Sequence, residues 1–366
     1  MFTVYARTMK RAINSASARW LGEVPVYAIA LALMMLCISL LLSKGVSPGV
    51  SGIWISFKLF FGFAFFIGTL DAGWQLVTQR PDSIVQHMIA RYFSITFFQR
   101  FLTGLPFLVV ATALLPYFSK MKSAIPLFNE YSWDETFIQW DQAIFFGYDA
   151  WEVIQPVLGF PIVTAFLAFL YHLWFLLLYP GILYFSYAHI DNQLRRQFFL
   201  SYVLSWCLIG GAMATWLASV GPCFVGPLLG DPRFDAQMAY LNAANEQVPI
   251  MTLKVQGMLL DWFDADADGL GSGITAMPSM HVAVAFLYWL AMRRISPRLG
   301  LFFGVFFAIT WISSVHLAYH YAVDGLVSVL AVLVLWWASQ RIITAWDAFI
   351  ATRAQAALRT NTVPAE

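Results

Sequence analysis

Charge is scarce in this chain. Only 11% of its 366 residues are Asp, Glu, Lys or Arg, against about 25% in an ordinary soluble domain. With 60% of residues hydrophobic and a mean hydropathy of +0.70, a water-soluble globule could not hide the apolar surface. Basic tracts are missing too, and the net charge is +1, so nothing offers a nucleic-acid footprint and no nucleic-acid partner is expected. Cysteine is down to three, and Cys37 and Cys207 lie inside apolar runs, which argues against a disulfide framework. The basic residues Arg7, Lys10, Arg11 and Arg19 are not followed by a small-residue cleavage site, and the apolar run after them is too long for a signal peptide. The first twenty residues therefore read as a cytosolic amphipathic leader. Internal repeats, low-complexity tracts and a soluble domain boundary are also lacking.

What the chain does have is long apolar runs. A membrane-crossing helix needs about 20 apolar residues. Eight runs qualify as candidates, at roughly 24–43, 53–77, 99–118, 161–187, 198–219, 279–294, 299–316 and 320–340. The expected fold is an all-α integral membrane protein of about eight transmembrane helices. The last two runs nearly merge, and one helix through both would be about twice the bilayer thickness. The chain must turn near "SSVHLAY".

Orientation follows from the cations in the loops. With the N-terminus in the cytosol, one side collects Arg7, Lys10, Arg11, Arg19, Arg80, Arg91, Arg100, Arg195, Arg196, Arg293, Arg294, Arg298, Arg341, Arg353 and Arg359, fifteen in all. The other side keeps five: Lys44, Lys120, Lys122, Arg233 and Lys254; Lys58 falls inside the second run. Both termini are thus expected in the cytosol, with a frayed tail after about residue 350. The long segments 119–160 and 220–278 are expected outside. The first, "YSWDETFIQWDQAIFFGYDAWEVIQPVLGF", alternates aromatic and acidic residues and reads as a segment lying along the membrane surface.

The topology brings ionisable groups to one face. His281 stands at the outer end of the sixth run, and His320 and Asp324 at the outer end of the eighth. Titratable groups in spans are costly and default to function. His320 and Asp324 are four apart, so a carboxylate can hold one ring nitrogen and leave the other for attack. Pro278 and Ser279 read as a helix start whose exposed N–H groups, on Ser279, Met280 and His281, suit a phosphate. An anion cradle, a histidine with a carboxylate partner and a second histidine are the parts of phosphoryl transfer through a phosphohistidine, with no cofactor required.

"MPSMHVAVAF" and "HYAVDG" resemble the second and third motifs of the type 2 phosphatidic acid phosphatase superfamily, Pro-Ser-Gly-His and Ser-Arg-x5-His-x3-Asp. Met280 in place of Gly, "LYHLWFLLLYP" and "SVGPCF" resemble its inositol phosphorylceramide synthase-like branch. The likeness covers roughly 130–340. It implies a six-helix phosphatase-like core, with His320 as nucleophile, Asp324 orienting it, His281 as general acid, and Ser279 with nearby amides on the phosphate. The expected division is a leader and two helices over 1–98, a catalytic core over 99–340 and a cytosolic tail over 341–366. Where the superfamily has Arg, this chain has Ser314, and the first motif, Lys-x6-Arg-Pro, has no full counterpart. "TQRPDS" offers Arg80 but has Gly73 in place of Lys, and the charge count puts Arg80 on the wrong side. Arg233 and Lys254, in the loop leading to His281, are the expected phosphate-binding cations. The implied substrate is a phosphorylated lipid among membrane lipids, and the expected location a bacterial inner membrane with a periplasmic site.

Two other functional readings stand beside this one. His316, His320 and Asp324 form a His-x3-His-x3-Asp spacing that a metal-dependent membrane hydrolase could use, provided one helix runs through all three. A non-catalytic lipid-binding or transport protein on the same scaffold is the other. "DADADGLGSGIT" imitates the start of a calcium loop, with Asp264, Asp266 and Asp268 as ligands, but ends on Thr275 where Glu is expected. It is a candidate for weak calcium binding. His172 reads as a hydrogen-bonded core residue, and His87 and His189, on the cytosolic side, as inert.

Overall fold

In lipid a backbone must satisfy its own hydrogen bonds, and apolar runs of this length do so as helices. The computed structural model describes residues 2–48, 51–265, 267 and 271–361, and among these there is no strand. The main helices are α1 (Phe2–Ser43), α2 (Ser51–Gln79), α3 (Ile95–Ser123), α4 (Asp134–Ile144), α5 (Ala150–Leu158) and α6 (Pro161–Tyr187). They continue as α7 (Asn192–Leu204), α8 (Asp235–Gln247), α9 (Met251–Asp264), α10 (Met280–Met292), α11 (Pro297–His316) and α12 (Ala322–Asn361). Pro161 and Pro297 open their helices, where a missing N–H costs nothing. π-helical turns over Ser205–Met213 carry the span of α7 on to Trp216.

Among the described residues seven helices are long and apolar enough to cross a membrane, which makes the chain an all-α integral membrane protein. The expected sixth span is different. α10 has 13 residues and is about 20 Å long, short of the roughly 30 Å hydrocarbon layer. Ten of its residues are buried, so protein surrounds it. It is preceded by non-helical chain over 271–279, whose polar backbone is satisfied by protein: Gly271 N–H donates to Ser119 Oγ (2.9 Å) and Ala276 N–H to the Ser219 carbonyl (3.0 Å). Irregular backbone beside apolar spans is tolerated when protein satisfies it. The chain does turn at "SSVHLAY": α11 ends at His316 and α12 begins at Ala322.

Aromatic side chains fill the bundle. Phe107 stacks on Phe199 (4.1 Å between centroids) and Phe185 on Phe198 (3.7 Å). A second apolar cluster, around Phe137, Ile138, Phe224, Phe234, Leu241 and Tyr321, joins the extramembrane helices to the ends of the spans. The segment expected to lie along the membrane surface packs into the protein. α4 leaves Trp140 and Ile144 exposed but buries Asp134, Phe137, Ile138 and Asp141 over the loop 317–321.

Several of the cations assigned to one side gather at the opposite end of the bundle. Arg195 meets Glu23 of α1 (2.8 Å), and Arg196 grips Asp347 of α12 through two bonds (2.7 and 2.8 Å). Arg294 donates to Gln197 (2.9 Å).

Candidate active site

Ser279 caps α10 in extended conformation and its Oγ accepts from Val282 N–H. The Ser279 carbonyl in turn accepts from Ser328 Oγ of α12 (3.0 Å), which ties the two helix starts together. His281, in the first turn, lies against aromatic rings of α6: Tyr171 is stacked on it at 4.4 Å and Trp174 sits at 4.3 Å. Trp174 Nε1–H also donates to the His281 carbonyl (3.1 Å). The ring is thereby fixed, and its Nε2 is buried without a hydrogen-bond partner.

His320 lies in the loop before α12. Its Nδ1 is 3.0 Å from Asp324 Oδ2, and the same oxygen accepts from Tyr321 N–H (3.1 Å). Asp324 is fully buried and His320 nearly so. Burial first, and the nearby charge of Lys122 second, push the His320 imidazole down to about 3, so its neutral form is favoured. That is the form a nucleophile needs.

Two further carboxylates hold this loop in place. Asp141 of α4 accepts from Ala322 N–H (2.7 Å) and Val323 N–H (2.8 Å), capping α12 from outside between the two residues of interest. Asp134 accepts from Tyr321 O–H (2.8 Å) and from Val220 and Gly221 N–H (3.0–3.1 Å). Burial drives both carboxyls upward, Asp141 to about 7, against the pull of the N–H groups they accept from. Gly221 has φ +87°, and a Cβ there would stand 2.6 Å from the Tyr319 carbonyl, so glycine is required at this crossing.

A cavity of about 130 Å³ collects the groups that could do chemistry: His281, His320 and Lys122, with Ser119, Thr275 and Met280 around them. Its apolar wall is Leu115, Phe118, Trp174, Phe175, Leu178 and Trp206. A larger apolar cavity of about 440 Å³, between α1, α3 and the π-helical turns of α7, shares Phe118 and Trp206 with it. These two rings, 4.4 Å apart and edge to face, divide the pair. Gly210 makes room for the divider, since a Cβ there would fall 2.4 Å from Phe118 and 2.9 Å from Met280 Sδ.

Of the residues picked from the sequence, His281, His320 and Met280 line the cavity, and Asp324 stands behind His320. Ser279 is buried and turned into its own helix. Arg233 is exposed and 4.0 Å from Asp149, Lys254 is exposed on α9, and neither lines the cavity. Arg80 is exposed just past the end of α2. The cation in the cavity is Lys122. It is one of the five cations that the loop count sets apart from the other fifteen, and it sits at the end of a span, which is the signal that marks it. For Asp134 and Asp141 the only hint was acid embedded in an aromatic run.

His316 does not join His320. Its Nε2 pairs with Thr164 Oγ1 (2.9 Å), which pairs with Tyr240 O–H (2.6 Å). The helix break between 316 and 322 separates the expected His-x3-His-x3-Asp set, and among the described residues no three His, Cys, Asp or Glu are placed to share a metal. Asp264 is exposed at the end of α9, while Asp266 and Asp268 of the expected calcium loop lie outside the described residues. His172 Nδ1 pairs with the Ala168 carbonyl of its own helix (2.8 Å).

Residues 135–338, more than half of the chain, match the family model described as the PAP2 superfamily. No curated protein matches the chain, and no solved structure does.

Proposed function

Because the chain belongs to the PAP2 superfamily, we propose that it is a membrane lipid phosphatase or phosphotransferase working through a phosphohistidine on His320. The observation that carries this reading is one cavity lined by Lys122, His281 and His320 from three separate segments, with Asp324 on His320 Nδ1. Asp324 fixes the imidazole so that Nε2 attacks phosphorus. The N–P bond forms as the bond to the leaving oxygen breaks, and His281 Nε2 supplies the proton that oxygen takes. An acceptor hydroxyl or water then attacks phosphorus, the N–P bond breaks, and His281 takes the acceptor's proton back. Lys122 offsets the charge of the phosphoryl oxygens, the role first given to Arg233 and Lys254. The apolar tail of the lipid occupies the neighbouring cavity beyond Phe118 and Trp206.

The resemblance of "PSMH" and "HYAVD" to the inositol phosphorylceramide synthase-like branch favours a hydroxyl acceptor over water. The fifteen-to-five cation split favours a site on the outer face of a bacterial inner membrane, with both termini in the cytosol.

The test incubates purified protein with phosphatidate and prenyl phosphates, with and without polyol acceptors, and identifies products by mass. His320→Ala is expected to abolish turnover of every phosphorylated lipid. Labelled phosphate trapped on histidine after an alkaline quench is expected in the wild type and missing in His320→Ala. Unchanged turnover in that variant would sink the proposal, and wild-type protein that never labels would favour a non-catalytic lipid-binding role.

A further inference from the structure

At the end of the bundle away from His320 lies a second polar cavity, of about 160 Å³. Arg19 of α1, Arg100 and Thr103 of α3, Ser186 at the end of α6, His189 in the link, and Asn192 and Arg195 of α7 line it. Along α3, Arg100 is 22 residues from Lys122, about 33 Å of helix. This cavity is therefore remote from the catalytic one.

Its walls are unusual in two ways. No carboxylate lines it among the described residues. Arg195 has one partner acid, Glu23, which accepts from it at 2.8 Å and also accepts from Tyr27 O–H at 2.6 Å. Asp191, the nearest acid in sequence, accepts from Leu194 N–H at the start of α7 (2.8 Å). Among the described residues, three guanidiniums stand against the one carboxylate of Glu23. Arg19 and Arg195 are close enough to repel each other.

The second oddity is hydrogen bonding. Three buried donors of the cavity wall have no partner: Arg100 Nε, Arg195 Nε and Ser186 Oγ. Arg195 is 6% exposed, so water does not readily serve it. Arg100 meets only the His189 ring, a poor counter-ion. Like charges and unpaired donors converging on one space are costly when empty and favourable around an anion. Guanidinium forks match phosphate oxygens best. The flank of α3 beside the cavity exposes Phe97, Phe98 and Phe101, a surface for acyl chains.

We propose that this cavity is a phosphate-binding site for the headgroup of an anionic lipid or for a soluble phosphate, separate from the catalytic cavity and independent of the reaction proposed for it. Basic pockets between transmembrane helices on the positive side of a membrane protein suit such headgroups.

The experiment uses the full chain in neutral detergent and follows thermal unfolding and lipid retention by native mass spectrometry. Its probes are phosphatidylglycerol, phosphatidylcholine and inorganic phosphate. Phosphatidylglycerol is expected to raise the midpoint by several degrees over phosphatidylcholine and to be retained at least tenfold better. R19Q/R100Q is expected to lose that preference, and R19Q, changed at an exposed residue only, to weaken it. K122Q, in the catalytic cavity, and R293Q/R298Q, a charge-matched change at exposed positions outside the cavity, are expected to keep it. A shift with inorganic phosphate alone, lost in R19Q/R100Q, identifies a soluble phosphate as the occupant; a shift with phosphatidylglycerol only identifies the lipid headgroup. Equal response to the two lipids without any phosphate shift overturns the proposal, and so does a preference that survives in R19Q/R100Q.

Discussion

The two ends of the bundle compensate their buried charges differently. At the His320 end the buried ions are acids, and backbone N–H groups serve them: Asp141 takes two from the start of α12, and Asp134 takes two from the Val220–Gly221 turn. At the other end buried arginines are served by side-chain carboxylates, the fully buried Glu23 for Arg195 and the partly exposed Asp347 for Arg196. A backbone partner cannot move independently of the fold, so the first arrangement holds a loop in place. A side-chain partner joins distant helices, so the second arrangement ties α1, α7 and α12 together. The acid end thus sets geometry and the basic end sets assembly. Each end also keeps cations left over, Lys122 at one and Arg19 with Arg100 at the other, and both line cavities.

The sharpest way to break this comparison is to remove one partner at the basic end. Glu23→Ala leaves Arg195 buried without its acid, which is expected to cost about 3–5 kcal/mol of stability. Unfolding in detergent would register it, while turnover per folded molecule is expected to hold. Turnover falling in step with a small stability loss would mean the two ends are not separable.

Lys122→Ala acts at the other end. Removing a preorganised cation from the phosphoryl oxygens is expected to lower kcat/KM by roughly 10²-fold or more. It also removes one of the two causes that depress His320. On the proposed mechanism the acid limb of the wild-type rate is expected at the folded His320 value, well below the ordinary histidine value of about 6.5. In Lys122→Ala that acid limb is expected to move upward in pH. A pH–rate profile with an unmoved limb would separate Lys122 from His320.

Asp141→Ala strands two N–H groups beside the site and is expected to cost about 1–3 kcal/mol for each. Because these groups lie between His320 and Asp324, kcat is expected to fall more than KM rises. Asp141→Asn keeps one acceptor and is expected to lose about half as much. The smallest effect is in pH. The folded Asp141 carboxyl, raised to about 7, lies above its unfolded value of about 4. Its contribution to stability is therefore full below about pH 4 and is lost as pH rises through 7. Unfolding midpoints across that window should show a decline that Asp141→Asn flattens.

Membrane class, helical fold, the turn before His320 and the pairing of His320 with Asp324 all follow from sequence, for physical reasons. Hydropathy is local, a bilayer sets a minimum helix length, and residues four apart at a helix start meet whatever surrounds them. That His281 shares their end of the bundle follows from counting spans. Other features depend on which helix faces which, and no short-range pattern carries that. Arg233 and Lys254 are near His281 in sequence, yet the cation in the cavity is Lys122, more than 150 residues before it. α10 looks like a span by composition, but its shortness is permitted only because neighbouring helices bury it and Ser119 and Ser219 satisfy the chain before it. Asp134 and Asp141 read as surface acids until the N–H groups they serve, from residues about 85 and 180 positions away, are brought to them. The sequence by itself determined the solvent this protein lives in and the pairing of His320 with Asp324. The tertiary structure alone decided which charges meet, because burial cost and hydrogen-bond supply belong to places in space.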